Sequence, residues 1–78
     1  MNDTMIQLGV PILVILPGSP ADKAGAQVGD RILSVDGVSI RNLDDYVNAT
    51  KQRRSSVYQV EVMRGSQLLT FTFDVGSI

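Results

Sequence analysis

Three groups of polar side chains have types and spacing that could support chemistry, and the first two are a serine–aspartate pair and an aspartate doublet. Ser19 and Asp22 could act as a nucleophile and its partner, but a serine that caps a helix with an acid in its first turn explains both residues. Asp44 and Asp45 could act as paired carboxylates, although adjacent residues of a helix point in different directions. The chain has no histidine and no cysteine, which removes the usual general base and the usual thiolate. We therefore expect no catalytic site, no metal site and no cofactor.

The third group is basic. Lys51, Arg53 and Arg54 could bind an anion or a lipid headgroup, but cations near the C-terminal end of a helix also interact favourably with its dipole, which favours a solvated helix end. The net charge of the chain is only −1, from seven basic and eight acidic residues. Because nucleic-acid binding requires a basic footprint, we expect no nucleic-acid partner.

The elements that position these residues begin with an apolar run and a short helix. Residues 10–16 are rich in β-branched side chains and are followed by turn residues, which predicts a buried strand with Pro11 at its start or on an unpaired edge. This run is too short for a membrane span, which needs about 20 residues. Ser19 as N-cap, Pro20 at the first helical position and Gly25 at the left-handed C-terminal position predict a one-turn helix.

A second strand, a tight turn and a longer helix follow. Residues 32–35 are typical of a strand, Asp36-Gly37 favours a two-residue reversal, and residues 38–40 form the return strand. Asn42 is a good N-cap for the longer helix, whose apolar stripe has the spacing i, i+3, i+4 and i+7. The stripe consists of Leu43, Tyr46, Val47 and Thr50.

The last third of the chain is predicted to be a β-hairpin with one dry and one wet face. Apolar and polar residues alternate on both sides of Gly65-Ser66, where glycine tolerates a positive φ. The dry positions are Tyr58, Val60 and Val62 before the turn and Leu69, Phe71, Phe73 and Val75 after it. The chain has no internal repeat, linker or low-complexity segment.

Four short segments stand in order along the chain: residues 17–25 (PGSPADKAG), 29–33 (GDRIL), 35–37 (VDG) and 62–65 (VMRG). Together they resemble a PDZ domain of prokaryotic type, as in HtrA-like, site-2 and C-terminal processing proteases, over roughly residues 9–75. The resemblance implies an α+β fold, a small and partly open antiparallel β-barrel or sandwich of about five strands capped by two helices.

In this family an extended partner segment adds as a strand in a groove between a sheet edge and the longer helix, so that main-chain hydrogen bonds supply affinity. Leu43 occupies the helix position that often selects a ligand side chain, and its apolar character implies an apolar ligand side chain. From the residues alone, the apolar stripe of this helix could equally pack in the core. The groove-facing positions implied by the resemblance are Leu43, Val47 and Thr50, and the carboxylate-binding loop is matched by Leu8, Gly9 and Val10.

The segment before residue 17 permits two alignments with the family. In the first, residues 8–10 form the carboxylate loop and the ligand-pairing strand follows. In the second, residues 9–16 form the strand that precedes the short helix, and the ungapped spacing to Pro20 favours this alignment. The ligand-pairing strand is then shortened to residues 4–8 or is missing. The domain division is accordingly an N-terminal tail or partial ligand-pairing strand at residues 1–8 and a PDZ-like domain at residues 9–78.

The predicted function is a non-catalytic module that captures extended, apolar C-terminal segments of a peptide or protein by β-strand addition. It would be a regulatory or substrate-recognition domain of a larger prokaryotic envelope protease, periplasmic or on the extracytoplasmic side of the membrane. Contact with the membrane would come only through that parent protein. The alternative is an assembly domain of a secretion-system or other membrane-associated complex, with no binding of free peptides.

Overall fold

The computed structural model describes residues 9–53 and 55–76, which form an antiparallel sheet of five strands with two helices. The elements are β1 (Val10–Pro11), α1 (Pro20–Ala24), β2 (Arg31–Val35), β3 (Val38–Ser39), α2 (Leu43–Lys51), β4 (Val57–Arg64) and β5 (Gln67–Asp74). The strands are paired in the order β1, β2, β4, β5, and β3 pairs with β2 as well. The predicted α+β class is confirmed, and the sheet is open rather than closed into a barrel. Within the two described ranges, no helix is long and apolar enough to cross a membrane.

The predicted strand over residues 10–16 is too long, because only Val10–Pro11 is a strand. Ile12 continues the contact with the segment before β2, since its N–H donates to the Asp30 carbonyl at 2.8 Å and its carbonyl accepts from the Gly29 N–H at 2.9 Å. A continuous apolar run predicts burial on both faces, but three of its side chains are solvent-exposed. These are Leu13, Val14 and Leu16.

The predicted caps of α1 are confirmed. The Ser19 hydroxyl accepts a hydrogen bond from the Asp22 N–H at 3.2 Å, and Pro20 occupies the first turn. The Asp22 carboxylate accepts from the Gly18 N–H at 2.8 Å, and Gly25 ends the helix at φ 97°. The side chains of Ser19 and Asp22 therefore cap α1, as the helix-capping interpretation of these two residues predicted.

Replacing Ser19 by alanine is expected to lower the free energy of unfolding by about 1 kcal/mol, because the Asp22 N–H loses its acceptor. For a domain of this size the melting temperature would fall by about 4–8 °C, measured by thermal unfolding followed by circular dichroism. Replacing Ser19 by aspartate keeps an acceptor and is expected to retain most of the stability. Equal losses in the two variants would contradict the capping role.

The core is formed mainly by β2, β4 and β5. The dry positions predicted for the first hairpin strand are confirmed, because Tyr58, Val60 and Val62 are at most 5% exposed. The Phe73 ring on β5 packs edge-on against Tyr58, with ring centroids 5.7 Å apart. The other buried apolar residues among the described ones are Ala26, Ile32, Val35 and Ile40.

The α2 helix also begins at its predicted N-cap, and it covers the core with only part of its apolar stripe. The Asn42 side-chain oxygen accepts from the Asp45 N–H at 2.9 Å. The Asp45 carboxylate accepts from the backbone N–H and Nε of Arg41 at 3.0 and 2.9 Å, so it belongs to an ion pair at the helix start rather than to a carboxylate pair. Tyr46 and Ala49 pack against the core, and no residue of α2 is fully buried.

Candidate functional site

A buried ion pair fixes the loop that leads into β2. The Asp30 side chain is 2% exposed and accepts from Nε and Nη2 of Arg64 at 2.8 and 2.9 Å. It also accepts from the Gln27 N–H at 2.9 Å, and Arg64 donates to the Gly25 carbonyl at 3.1 Å. The Arg64 hydrogen bond lowers the pKa of Asp30 against the opposing effect of burial. The ion pair of Asp30 and Arg64 thus ties the end of α1, the following loop and β4 together.

Two of the residues matched to the carboxylate-binding loop, Gly9 and Val10, lie beside the start of β2. Gly9 is buried at φ 97°, and an added Cβ would collide with the Ile32 carbonyl oxygen. The Gly9 carbonyl lies 3.5 Å from Nη1 of Arg31, which donates to it. Val10 is half-buried, packs against the core and pairs with Ile32. Leu8 and the predicted ligand-pairing strand at residues 4–8 lie outside the described residues.

The helix row matched to the groove lies outside the core. Leu43 is 62% exposed, Val47 is 38% exposed, and the half-buried Thr50 donates its hydroxyl to the Val47 carbonyl at 2.9 Å. Residues at i, i+4 and i+7 share one side of a helix, so these three side chains form a continuous row. We name Leu43, Val47 and Thr50 the outer row. Its two aliphatic members are accessible to a partner.

Two tyrosines anchor α2 on the sheet. The hydroxyls of Tyr46 and Tyr58 lie 3.3 Å apart in a hydrogen bond. Burial, followed by this hydrogen bond, raises the pKa of Tyr46 far above its ordinary value. The Arg53 guanidinium lies 5.8 Å from the centroid of the Tyr58 ring. These contacts hold the helix that carries the outer row against β4.

An open backbone edge lies between β1 and α1. Among the described residues, the N–H and carbonyl groups of residues 13–15 have no hydrogen-bond partner. Unpaired groups of this kind can accept another strand.

Comparison with known protein families assigns this chain to one of them. A sequence profile of the family described as PDZ domain matches residues 12–64. The chain belongs to the PDZ domain family. PDZ domains are binding modules, and the PDZ resemblance predicted from the sequence is confirmed.

This PDZ domain is similar to parts of much longer proteases. It is 41% identical over 54 residues to the chloroplastic C-terminal processing peptidase of Tetradesmus obliquus, covering 69% of this chain and 12% of that protein. It is 32% identical over 59 residues to the serine protease HTRA1 of Xenopus tropicalis, covering 76% of this chain and 13% of that protein. The chain therefore spans a small part of these relatives.

A solved structure of the same fold carries a ligand. The HtrA3 PDZ domain bound to the phage-derived ligand FGRWV superposes with a TM-score of 0.78 and 28% sequence identity. The match covers 86% of this chain and 62% of the HtrA3 chain.

Sequence reasoning did not assign the contact between Asp30 and Arg64 in this PDZ domain. Both residues lie in the segments that carry the family resemblance, GDRIL and VMRG. Their occurrence in these segments suggested that both residues matter for the fold. The sequence does not show that two residues 34 positions apart form an ion pair.

Proposed function

We propose that this PDZ domain binds the C-terminal segment of a partner peptide or protein by β-strand addition, with the outer row contacting apolar ligand side chains. The observation that carries the proposal is the outer row itself, because Leu43 is largely exposed and Val47 is partly exposed on a helix that is otherwise anchored to the core. The open backbone edge at residues 13–15 supplies unpaired groups of the kind that strand addition needs. The ligand of the HtrA3 domain ends in tryptophan and valine, which supports an apolar C-terminus.

The same proposal places the domain in a larger protein. The two relatives described above are proteases of which it covers about an eighth, so we assign it a regulatory or substrate-recognition role beside a catalytic domain. For such a protease of a prokaryotic envelope, the domain would be periplasmic or on the extracytoplasmic side of the membrane. It would meet the membrane only through the parent protein and would need no cofactor of its own.

Replacing Leu43 by aspartate is expected to weaken binding of the peptide FGRWV by about 10- to 100-fold. The substitution removes apolar contact area and places an unpaired charge in the groove, which together cost about 1.4–2.8 kcal/mol. The domain has no tryptophan, so fluorescence of the peptide's own tryptophan reports binding in a titration.

The matched control is Leu68 on β5, which is 53% exposed. Replacing Leu68 by aspartate makes the same chemical change on another surface and is expected to leave the affinity within about twofold of the wild type. Equal affinities of the wild type and the Leu43 variant would overturn the assignment of the outer row.

An assembly domain without free-peptide binding is the second candidate function, favoured by the exposed side chains of Leu13, Val14 and Leu16 beside the open edge. A fixed contact with a neighbouring protein would cover this apolar surface. Two results together would favour assembly over peptide capture. No apolar-ended peptide would shift the backbone amide resonances of residues 43–50, and substitutions at Leu13 and Val14 would abolish binding of a neighbouring protein.

A further inference from the structure

A second cleft lies on the opposite side of α2 from the outer row. It has a volume of about 780 Å³, opens to solvent, and is bounded on two sides by α2 and the β2–β3 hairpin. Its helix side is formed by Asp45, Asn48, Ala49 and Gln52, and no member of the outer row contributes to it. With 3.6 residues per turn, these four positions centre about half a turn away from the outer row. The cleft is therefore separate from the proposed groove.

The cleft has an apolar floor, and the β3 strand along one wall could pair with the backbone of an extended peptide. Val35, Val38 and Ala49 supply apolar surface. Val38 pairs with Val35, and the Ile40 N–H donates to the Leu33 carbonyl, so the intervening residue directs its own N–H and carbonyl away from β2.

That intervening residue is Ser39, which lines the cleft. It stands opposite Ser34 between two hydrogen-bonded pairs, so β2 does not use its backbone N–H and carbonyl, and it makes no other backbone hydrogen bond in the described part of the chain. One residue of an extended peptide could exchange both backbone hydrogen bonds with it. The amide side chains of Asn48 and Gln52 lie across the cleft and offer further donors and acceptors.

One end of the cleft is cationic. Arg41 is occupied by Asp45, but no acidic side chain among the described residues pairs with Arg53. The Arg53 side chain is held in place by a 2.6 Å hydrogen bond from Nη1 to the Thr50 carbonyl. An adjoining hollow of about 370 Å³ is lined by two cations and two hydroxyl-bearing side chains, without an acid. They are Lys51, Arg53, Ser55 and Ser56.

We propose that this cleft is a second peptide-binding site, which takes an extended segment with an acidic side chain. The segment pairs with Ser39, sets an apolar side chain on the floor of Val38 and Ala49, and directs its carboxylate to Arg53 and Lys51. Because the outer row lies on the opposite side of α2, an acidic segment and an apolar C-terminus can be bound at the same time.

The test is a titration of the whole domain with a blocked peptide of alternating valine and glutamate, followed by backbone amide shifts. Shifts are expected at Ser39, Asn48 and Gln52, and the matched peptide of alternating valine and lysine is expected to cause none. Replacing Arg53 by glutamate is expected to weaken binding by about tenfold. Replacing Lys51 by glutamate is expected to act in the same direction without touching the Tyr58 ring.

The control for charge alone is Lys23→Glu, which makes the same charge change at an exposed position of α1. It is expected to leave the affinity for the acidic peptide unchanged. Ser39→Pro removes the outward donor at an edge position where proline is tolerated, and is expected to weaken binding while the domain stays folded. In the Lys51 and Lys23 variants, whose side chains take no part in anchoring α2, binding of FGRWV through the outer row is expected to stay unchanged, so a failure of one site is distinguishable from a failure of the other.

Three outcomes would overturn the proposal. Equal weakening by the substitutions at Lys23 and Arg53 would mean attraction by net charge alone. Shifts confined to Leu43 and Val47 would mean that the acidic peptide occupies the first groove. Shifts at Ser55 and Ser56 with inorganic phosphate or phosphatidylglycerol vesicles, but none with the peptide, would assign the cationic end to another class of anion.

Discussion

Replacing Asp30 by asparagine is expected to lower the free energy of unfolding by about 3 kcal/mol, a large fraction of the stability of so small a domain. The carboxylate is almost fully buried, and it accepts two hydrogen bonds from Arg64 and one from the Gln27 N–H. Asparagine keeps the shape but removes the negative charge, so the guanidinium loses its charge partner. This loss is near the lower end of the range for breaking a buried ion pair, because Arg64 is one-third exposed and water can hydrogen-bond to its guanidinium.

Urea unfolding followed by circular dichroism measures this loss. The control is Asp45→Asn, which removes a carboxylate from the more exposed ion pair with Arg41. Exposed pairs are weak, so a much smaller loss is expected there. Similar losses in the two variants would show that burial of the Asp30 pair adds nothing.

The Asp30 pair also predicts a dependence on pH. The pKa of Asp30 is lowered in the folded domain, chiefly by the hydrogen bond from Arg64. Its stabilising contribution is therefore complete above the ordinary pKa of about 3.9 and is lost as the pH falls through the lower, folded value. The difference in unfolding free energy between the wild type and the Asn variant is expected to be constant near neutral pH and to shrink below about pH 4. A difference that persists unchanged in acid would contradict this origin.

The parts of the fold that sequence predicted well are those decided by neighbouring residues. Ser19 and Asn42 cap their helices because each side-chain oxygen reaches a backbone N–H three residues ahead. The two hairpins turn at Asp36-Gly37 and Gly65-Ser66, as predicted. The strand register shows this, since Val35 stands opposite Val38 and Arg64 stands opposite Gln67. Such signals act within a few residues and can be recognised in a linear sequence.

The parts that sequence could not decide depend on contacts between distant segments. The apolar run at residues 10–16 gives no sign of which side chains meet a neighbouring strand, and only its first residues do. The apolar stripe of α2 likewise does not say which members face inward. In the structure Tyr46 and Ala49 pack against the core, whereas Leu43 is largely exposed and Val47 is partly exposed.

The candidate sites divide in the same way. The outer row could be named from the family resemblance because all its members lie on one helix. The second cleft could not, because its floor combines Val38 of the β2–β3 hairpin with Ala49 of α2. Its cationic end depends on the placement of Arg53 by the Thr50 carbonyl, and the sequence favoured a solvated helix end for the same basic cluster.

The second large effect is expected at Gly9, where alanine should lower the free energy of unfolding by about 2–4 kcal/mol. The φ of 97° is unfavourable for any residue with a Cβ, and that Cβ would also meet the Ile32 carbonyl oxygen on β2. Relief of this collision requires β1 to move away from β2. The hydrogen bond from the Ile12 N–H to the Asp30 carbonyl would then break, so amide hydrogen exchange at Ile12 is expected to accelerate along with the loss of stability.

Gly65 provides the matched control, because it also has a positive φ, 61°, but no atom lies within 4 Å of the position that a Cβ would take. Gly65→Ala therefore carries the backbone cost alone, about 1 kcal/mol, and leaves exchange at Ile12 unchanged. The difference between the two variants isolates the close approach of β1 to β2. Equal losses would show that Gly9 is required only for its backbone conformation, and the packing of β1 against Ile32 would then not be what fixes the start of the candidate binding loop.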